Sequence, residues 1–224
     1  MTHPSFIKGG HPLIIHIVAG GPTNFLPHLQ AYDGEDVYWV GVDRGVLALL
    51  HAGIMPKRAF GDFDSINEQE LQQLKMKLPH IDIWPAEKDQ TDTDIALEWA
   101  LEQQATKIRL FGATGGRLDH LFGNVQLLFK GKDGQIELID RQNVVTLYRN
   151  GEHIVEKRDE YTYISFIPLT PIRALTLRGF KYPLDACDVP LGSTLCVSNE
   201  LIHHFGTFSF AEGILMMIRS KDEK

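Results

Sequence analysis

Five aspartates follow short apolar runs in the first half of this 224-residue chain. They are Asp43, Asp62, Asp64, Asp89 and Asp92. In the stretch AFGDFDSI (59–66), one residue separates Asp62 from Asp64, so on extended backbone both side chains point to the same face. Carboxylates held this close repel one another unless a cation lies between them. Mg²⁺ prefers such carboxylate oxygens, together with water and the phosphates of a substrate.

A glycine-rich stretch supplies the complementary chemistry. The segment GATGGRLDH (112–120) joins an apolar run to a helix-like run, and its glycines allow the backbone to approach an anion closely. The N-terminus of the following helix offers free N–H groups and a positive dipole end. Arg117 can bind two phosphate oxygens at once through its guanidinium. Together with the aspartates, this loop predicts a site for a metal-bound polyphosphate.

Each pattern taken singly also has a structural explanation. A lone D-x-D is most often a solvated turn, and the glycines of 112–116 could serve only a tight strand-to-helix connection. The acids of 89–94 suit a helix start, which is the preferred explanation for Asp94. The functional prediction therefore depends on three acidic loops and one glycine loop meeting at the same place.

Other candidate residues are better explained structurally. His120, in a first helical turn, is predicted to be structural or a modest phosphate contact rather than a general base. The pair His203-His204 has no acidic residue nearby to complete a metal site and is expected at the surface. The tryptophans are expected in the core; they are Trp39, Trp84 and Trp99.

Apolar runs alternate with helix-like runs through residue 142, which predicts an α/β domain with a parallel sheet covered on both faces. Strands are expected at 13–21, 37–45, 81–86, 107–113 and 136–140. A further short strand or strand end is expected directly before 59–65. Helices are expected at 47–53, 66–78, 91–105 and 118–130, with Thr91 as an N-cap. Ligands of such sheets bind beyond the carboxyl ends of the strands, where the five aspartates fall.

The pattern changes after residue 142. The stretch VVTLYRNGEHIVEK (144–157) contains Asn150-Gly151 between alternating runs, which predicts a hairpin. Short strands without helical periodicity follow at 161–169, 173–180, 193–201, 206–210 and 213–220. An all-β domain, a sandwich or a roll, is therefore predicted for 143–224.

Composition excludes several classes of protein. A net charge of −7 provides no electrostatic footprint for nucleic acid or an anionic membrane, and a hydrophobic fraction of 43% is ordinary for a globular protein. Cys187 and Cys196 form neither a disulfide framework nor a zinc spacing. The apolar run 13–19 is too short to span a membrane and lacks the features of a signal peptide. A cytoplasmic protein is predicted.

Five blocks of sequence, in order along the chain, resemble the thiamine pyrophosphokinase family in its bacterial form. They are GVDRG (41–45), GDFDSI (61–66), KDQTDTDIAL (88–97), GATGGRLDH (112–120) and SNEL (198–201). The resemblance implies an α/β ATP-binding catalytic domain over 1–142 and a β-sandwich thiamine-binding and dimerisation domain over 143–224. It implies transfer of a diphosphoryl group from ATP to the hydroxyl of thiamine, giving thiamine diphosphate and AMP, with Mg²⁺ as cofactor. It also implies a homodimer whose active sites lie between subunits.

The resemblance further implies roles for individual residues. Metal binding or approach to the reacting hydroxyl is implied for Asp43, Asp62, Asp64 and Asp92. Either Asp64 or Asp92 is expected to accept the proton of that hydroxyl. The nucleotide and substrate pocket would be lined by Ser65, Lys88, Asp89, Thr91 and Thr114. Phosphates would be positioned by Arg117, Asp119 and His120, and thiamine would be contacted from the partner subunit by Ser198 and Asn199.

The chain departs from the family pattern at one position. Eukaryotic members stack the pyrimidine of thiamine on a tryptophan of the β domain, whereas here no tryptophan follows Trp99. Phe205 or Phe208 is the expected substitute.

Four other functions compete with this interpretation. A pyrophosphokinase acting on a pterin alcohol would use similar acids, and a nucleotide- or thiamine-binding module would need no turnover. D-x-D motifs also occur in nucleotide-sugar transferases and in phosphatases of the haloacid dehalogenase type. The phosphatase interpretation fails because Ile66 stands where Thr or Val is required and the motif follows the third strand. Release of AMP rather than ADP from ATP and thiamine would separate these functions.

Overall fold

A computed structural model describes residues 13–63, 76, 81–83 and 89–223. The predicted site residues Asp64, Ser65 and Lys88 lie outside the described residues, as do Trp84 and, apart from Met76, the predicted helix 66–78. The chain divides into two compact units, Met1–Gly131 with Gln135–Arg141 and Lys132–Gly134 with Gln142–Lys224. Within the described part of the chain, no helix has the length and apolar character needed to cross a membrane.

Parallel strands form the sheet of the first unit. They are β1 (Ile14–Val18), β2 (Val37–Val42), β3 (Arg58–Gly61), β4 (Ile81–Ile83), β5 (Lys107–Phe111) and β6 (Ile136–Ile139). Their spatial order is β6-β5-β1-β2-β3-β4, and each neighbouring pair is parallel. The central strand β1 is a run of β-branched residues around His16, as expected for a strand buried on both faces. The carboxyl ends of all these strands therefore share one edge.

Three described helices belong to this unit, with short 3₁₀ turns between elements. They are α1 (Gly45–His51), α2 (Asp92–Glu102) and α3 (Leu118–Leu127), and the 3₁₀ turns are Thr23–Phe25, Leu29–Tyr32 and Leu128–Lys130. The predicted N-cap of α2 is confirmed, because the hydroxyl of Thr91 accepts a hydrogen bond of 3.2 Å from the backbone N–H of Asp94. Trp39 and Trp99 are buried in the core, as predicted.

A row of polar residues crosses the buried sheet. His16 on β1 is in register with Arg109 on β5, which is in register with Glu137 on β6. The Arg109 guanidinium lies 3.2 Å from Nε2 of His16 and donates to Glu137 at 3.0 Å. Burial, reinforced by the Arg109 charge, lowers the pKa of His16 to about 3. His16 is therefore neutral at physiological pH, and the buried carboxylate of Glu137 is paired.

The described strands of the second unit are antiparallel wherever they pair. They are β7 (Asn143–Glu156), β8 (Tyr163–Pro168), β9 (Ile172–Arg178), β10 (Leu184–Val189) and β11 (Phe205–Ser220). Strand β11 pairs with β7 along its length, with β9 through its first half and with β8 through its second half. Both halves of β11 contribute to one apolar core, through Phe208 and Leu215, so the sheet folds over that core.

The predicted hairpin at Asn150-Gly151 is wrong. Both residues lie inside the single strand β7, because β11 supplies pairing partners on both sides of them. The register passes from Gly151 opposite Phe210 to Arg149 opposite Ile214, so 211–213 form a bulge opposite Asn150. Gly151, with φ of 142°, serves the bend of a long strand rather than a chain reversal.

Two further strand predictions need correction. The segments 206–210 and 213–220 were predicted as separate strands but form the continuous β11 across that bulge. The segment 193–201 was predicted as a strand but consists mainly of turns, with isolated bridges at Asn199 and Leu201. Here the Asn199 side chain accepts from the N–H of Tyr182 and donates to its carbonyl, replacing a regular backbone ladder.

Candidate functional site

A cavity of about 980 Å³ opens at the carboxyl ends of the strands in the first unit. Its walls come from the segments after β1 (19–24), β2 (43–44) and β5 (112–117), and from the starts of α2 and α3. The chain leaves β1 toward β2 on one side, whereas β5 returns to pair with β1 on the other side. The cavity thus lies at the topological switch point, where two neighbouring loops diverge and leave a crevice.

Asp43 is held at the cavity by the ends of two neighbouring strands. Its backbone N–H donates to the carbonyl of Phe60 on β3 at 2.9 Å. Its φ is 48°, a left-handed conformation that aspartate tolerates better than most residues. A Cβ on Gly61 would overlap the Asp43 carboxylate, so the end of β3 accommodates this side chain only because residue 61 is glycine. The Asp43 backbone is therefore held by the end of β3, and its carboxylate lies against Gly61.

The glycine loop after β5 touches the loop after β1 through backbone atoms. The N–H of Gly21 donates to the carbonyl of Gly112 at 2.9 Å. A Cβ on Gly21 would overlap that same carbonyl. Gly115 and Gly116 follow with φ of 77° and 66°, which an L-residue rarely adopts, and lead into the N-terminus of α3. Such a run of backbone beside a helix start is suited to an anion.

Arg117 stands at the N-cap position of α3 and lines the cavity. Its Nε and Nη2 donate to the two carboxylate oxygens of Asp119 at 3.1 and 2.5 Å. This pairing with Arg117 lowers the pKa of Asp119 to about 2, so Asp119 is ionised throughout the physiological range. Asp119 does not line the cavity, but it is paired with Arg117, which does. His120, one residue further, is exposed and lines the cavity.

The first turn of α2 places two aspartates in different surroundings. Asp92, the first residue of α2, lines the cavity together with Gln90, Thr91 and Thr93. Asp94 instead accepts a hydrogen bond of 2.5 Å from Lys130 Nζ and does not line the cavity. The preferred structural explanation for Asp94 agrees with this placement.

The cavity brings together six of the predicted site residues, which are Asp43, Thr91, Asp92, Thr114, Arg117 and His120. Three others of the first unit are described but do not line it, namely Asp62, Asp89 and Asp119, and Ser198 and Asn199 belong to the second unit. Among the residues that the structure describes, no three or more His, Cys, Asp or Glu side chains are grouped so as to hold a metal ion.

Comparison with protein families decides the relationship of the chain. Residues 29–139 match the model described as thiamin pyrophosphokinase, catalytic domain. Residues 152–215 match the model described as thiamin pyrophosphokinase, vitamin B1 binding domain. The chain belongs to the thiamine pyrophosphokinase family.

Individual members of the family are similar over almost the whole chain. The thiamine pyrophosphokinase of Bacillus subtilis is 56% identical over 211 residues, covering 93% of this chain and 99% of the relative. Its crystal structure gives a TM-score of 0.88, covering 94% of this chain and 100% of that one. The crystal structure of the thiamin pyrophosphokinase from Geobacillus thermodenitrificans is 60% identical with a TM-score of 0.88, covering 95% and 99% of the two chains.

The residues expected to contact thiamine belong to the second unit. Ser198 is exposed and has φ of 58°, while its backbone N–H donates to Ser165 Oγ at 2.9 Å. Asn199 is 2% exposed, and its amide is bonded to the backbone of Tyr182 and Glu200. Asn199 thus shapes the loop that presents Ser198.

The two phenylalanines proposed to replace the family tryptophan differ in accessibility. Phe208 is 1% exposed and stacks with His153 and Phe210 inside the core. Phe205 is 64% exposed. Since a ring must be accessible to stack on a ligand, only Phe205 remains a candidate.

Sequence reasoning missed several residues that shape the thiamine pyrophosphokinase cavity. One side of it is formed by α1, through Leu47, Ala48 and His51. Asn124 of α3 also lines it and donates to the carbonyl of Ala113 at 2.8 Å. Asp140, directly after β6, is buried and accepts a hydrogen bond from Thr114. Asp140 carried a usable signal, because it is an acid at a strand end like Asp43.

Proposed function

We propose that the protein catalyses the reaction for which its family is named, transfer of a diphosphoryl group from ATP to the hydroxyl of thiamine, with release of AMP. The observation that carries this proposal is the cavity at the switch point, which places Asp43 and Asp92 in the same space as the glycine loop and Arg117. Acids beside an anion-binding loop suit a charged triphosphate and an alcohol that must lose a proton.

The chemical step requires positioning and charge stabilisation more than covalent participation. The thiamine oxygen attacks the β-phosphorus, an O–P bond forms, and the bond between that phosphorus and the oxygen of AMP breaks. Arg117 and the N-terminus of α3 stabilise negative charge on the phosphates. A carboxylate near the hydroxyl accepts its proton, a role we assign to Asp92 or Asp64, of which Asp92 lines the cavity.

Mg²⁺ fits the donor chemistry of this cavity. The ion is commonly held by one or two carboxylates together with water and substrate phosphates, and two aspartates line the cavity wall. We propose that Asp43, Asp62, Asp64 and Asp92 hold the ion. Bound Mg²⁺ would neutralise charge on the triphosphate. Lys88, Asp89, Thr91 and Ser65 are proposed to complete the nucleotide pocket.

The second unit is proposed to bind thiamine and to form a homodimer whose active sites lie between subunits. The family match over 152–215 supports the first part of this proposal. The second is supported by large apolar side chains that are exposed on either side of Ser198. They are Leu191, Leu195, Val197, Ile202 and Phe205. We also propose a cytoplasmic location, where ATP is available and the free cysteines Cys187 and Cys196 stay reduced.

The reaction itself provides the first test. Purified protein with ATP, Mg²⁺ and thiamine is expected to release AMP and thiamine diphosphate in equal amounts, measured by mass spectrometry and chromatography. A pterin alcohol in place of thiamine serves as the control acceptor and is expected to yield no product. Release of ADP, transfer to the pterin, or binding without turnover would each contradict the proposal.

Removal of the Arg117 guanidinium is expected to weaken ATP binding. The variant Arg117→Ala should raise KM for ATP about 10–100-fold, since charge-assisted bonds to phosphate are each worth about 1.5–3 kcal/mol. Arg117→Lys should recover only part of this loss, because an ammonium group cannot make the two-pronged contact. Initial rates at varied ATP concentration provide the measurement.

A matched control for Arg117 lies in the second unit. Arg173 is similarly exposed and is paired with Asp188 at 3.1 Å. Arg173→Ala should leave KM for ATP unchanged. An unchanged KM in Arg117→Ala as well would remove Arg117 from the nucleotide site.

A further inference from the structure

A buried carboxylate outside the recognised family blocks contacts the glycine loop. Asp140 follows the last residue of β6 and is 7% exposed. Its Oδ2 accepts a hydrogen bond of 2.9 Å from the hydroxyl of Thr114, which is itself buried. Thr114 lies between Gly112 and Gly115 and lines the cavity. The contact therefore joins the end of β6 to the middle of the anion-binding loop.

The direction of this hydrogen bond limits what Thr114 can do in the site. A threonine hydroxyl has one proton, and here that proton is donated to Asp140. It is then not available to a phosphate oxygen. Thr114 contributes to the cavity through its position in the loop and through its backbone, and that position is set by Asp140.

The next residue, Arg141, connects the end of β6 to the loop after β1 through hydrogen bonds. The backbone N–H of Arg141 donates to the carbonyl of Phe25 at 2.9 Å, and its guanidinium donates to the carbonyl of Asn24 at 3.3 Å. The ring of Phe25 packs on Gly115, where an added Cβ would lie 2.6 Å from a ring carbon. Residues 140–141 thus hold both glycine-containing loops of the cavity.

We propose that Asp140 is a positioning residue for nucleotide binding, holding the glycine loop through Thr114 in the conformation that receives the phosphates of ATP. This inference rests on the proposed function and deepens it. The loop has three glycines with positive φ, at 112, 115 and 116, so its backbone alone does not favour one conformation. A buried side-chain hydrogen bond in the middle of the loop restricts its backbone conformations before the nucleotide binds. The loop then loses less conformational entropy on binding, so binding is more favourable.

The test compares nucleotide binding in variants at both ends of the hydrogen bond. Asp140→Ala and Thr114→Val should each weaken binding of a non-hydrolysable Mg²⁺–ATP analogue about tenfold, as expected when a buried polar group loses its partner. The double variant should be little weaker than either single variant, because both remove the same interaction. Asp140→Asn retains an acceptor oxygen and should restore most of the affinity, as should Thr114→Ser. Calorimetric titration gives the dissociation constants.

Amide hydrogen exchange provides a readout that does not depend on activity. Exchange in 112–117 should be faster in Asp140→Ala and Thr114→Val than in the wild type. Glu137→Gln is the matched control, since Glu137 is a buried acid on β6 that bonds Lys107 and Arg109 rather than the loop. This control should lower the melting temperature without changing nucleotide affinity or exchange in 112–117.

The outcomes separate this inference from the proposed reaction. Unchanged affinity and unchanged loop exchange in both single variants would overturn the positioning role, even if their melting temperatures fall. Strictly additive losses in the double variant would also overturn it. A wild-type protein that binds the nucleotide analogue but makes no thiamine diphosphate would overturn the proposed reaction while leaving the role of Asp140 supported by the binding and exchange results.

Discussion

The variant Asp92→Asn is expected to lose most turnover, with kcat lower by about 10²–10⁴-fold, the usual contribution of a group that accepts a proton in the transition state. Asparagine preserves the size of the side chain but neither takes up a proton at neutral pH nor neutralises a cation. The N-cap bond from Thr91 remains, so the loss of unfolding free energy should stay below about 1 kcal/mol, the typical value of a first-turn carboxylate. Steady-state kinetics with circular dichroism measures both effects.

The control for Asp92 is two residues away in the same helical turn. Asp94 is also acidic and also lies in the first turn of α2, but it faces Lys130 rather than the cavity. Asp94→Asn should therefore keep near-wild-type kcat, although it also loses the ion pair with Lys130 and so costs more stability. Equal activity of the two variants would remove Asp92 from the mechanism. Asp64→Asn is also expected to abolish most turnover, and Asp64 would then be the remaining candidate for the proton acceptor.

The site could be predicted from the sequence where a strand end and its acid are neighbours in the chain. Asp43 follows β2 directly, and Asp92 follows an N-cap threonine, so local patterning places both at a strand or helix terminus. The parallel pairing of the first unit then brings those termini to one edge. The glycine loop of 112–116 could likewise be predicted from its own residues, because its role depends on the φ values that glycine allows rather than on a distant partner.

Features that depend on distant partners were missed. The bond between Thr114 and Asp140 joins residues 26 positions apart, and although Asp140 follows a strand end, neither neighbourhood identifies the other residue as its partner. The sequence Asn150-Gly151 has every local property of a hairpin, yet β7 continues through it because β11 pairs with thirteen of the fourteen residues of β7. In both cases contacts between distant parts of the chain, rather than local sequence preference, decide the structure.

The second large effect is expected from Gly45→Ala at the start of α1. An added Cβ would overlap the carbonyl oxygen of Val18 at the end of β1 and would come within 3.0 Å of the carbonyl oxygen of Ala19. These are backbone atoms of the last residue of the central strand and of the residue after it, so the helix itself must move. We expect a loss of about 3 kcal/mol or more in unfolding free energy, at the upper end of overpacking effects. For a chain of this size, that corresponds to a melting temperature about 6–12 °C lower.

Activity should fall together with stability in Gly45→Ala, because Asp43 lies two residues before the helix and is fixed against β3. A second helical glycine provides the control. Gly123 lies in α3, is exposed and has no atom within 4 Å of its potential Cβ, so Gly123→Ala should gain up to about 1 kcal/mol from helix propensity. Thermal unfolding should thus shift in opposite directions for the same substitution in two helices. An unchanged or higher melting temperature in Gly45→Ala would contradict the close contact of α1 with the end of β1.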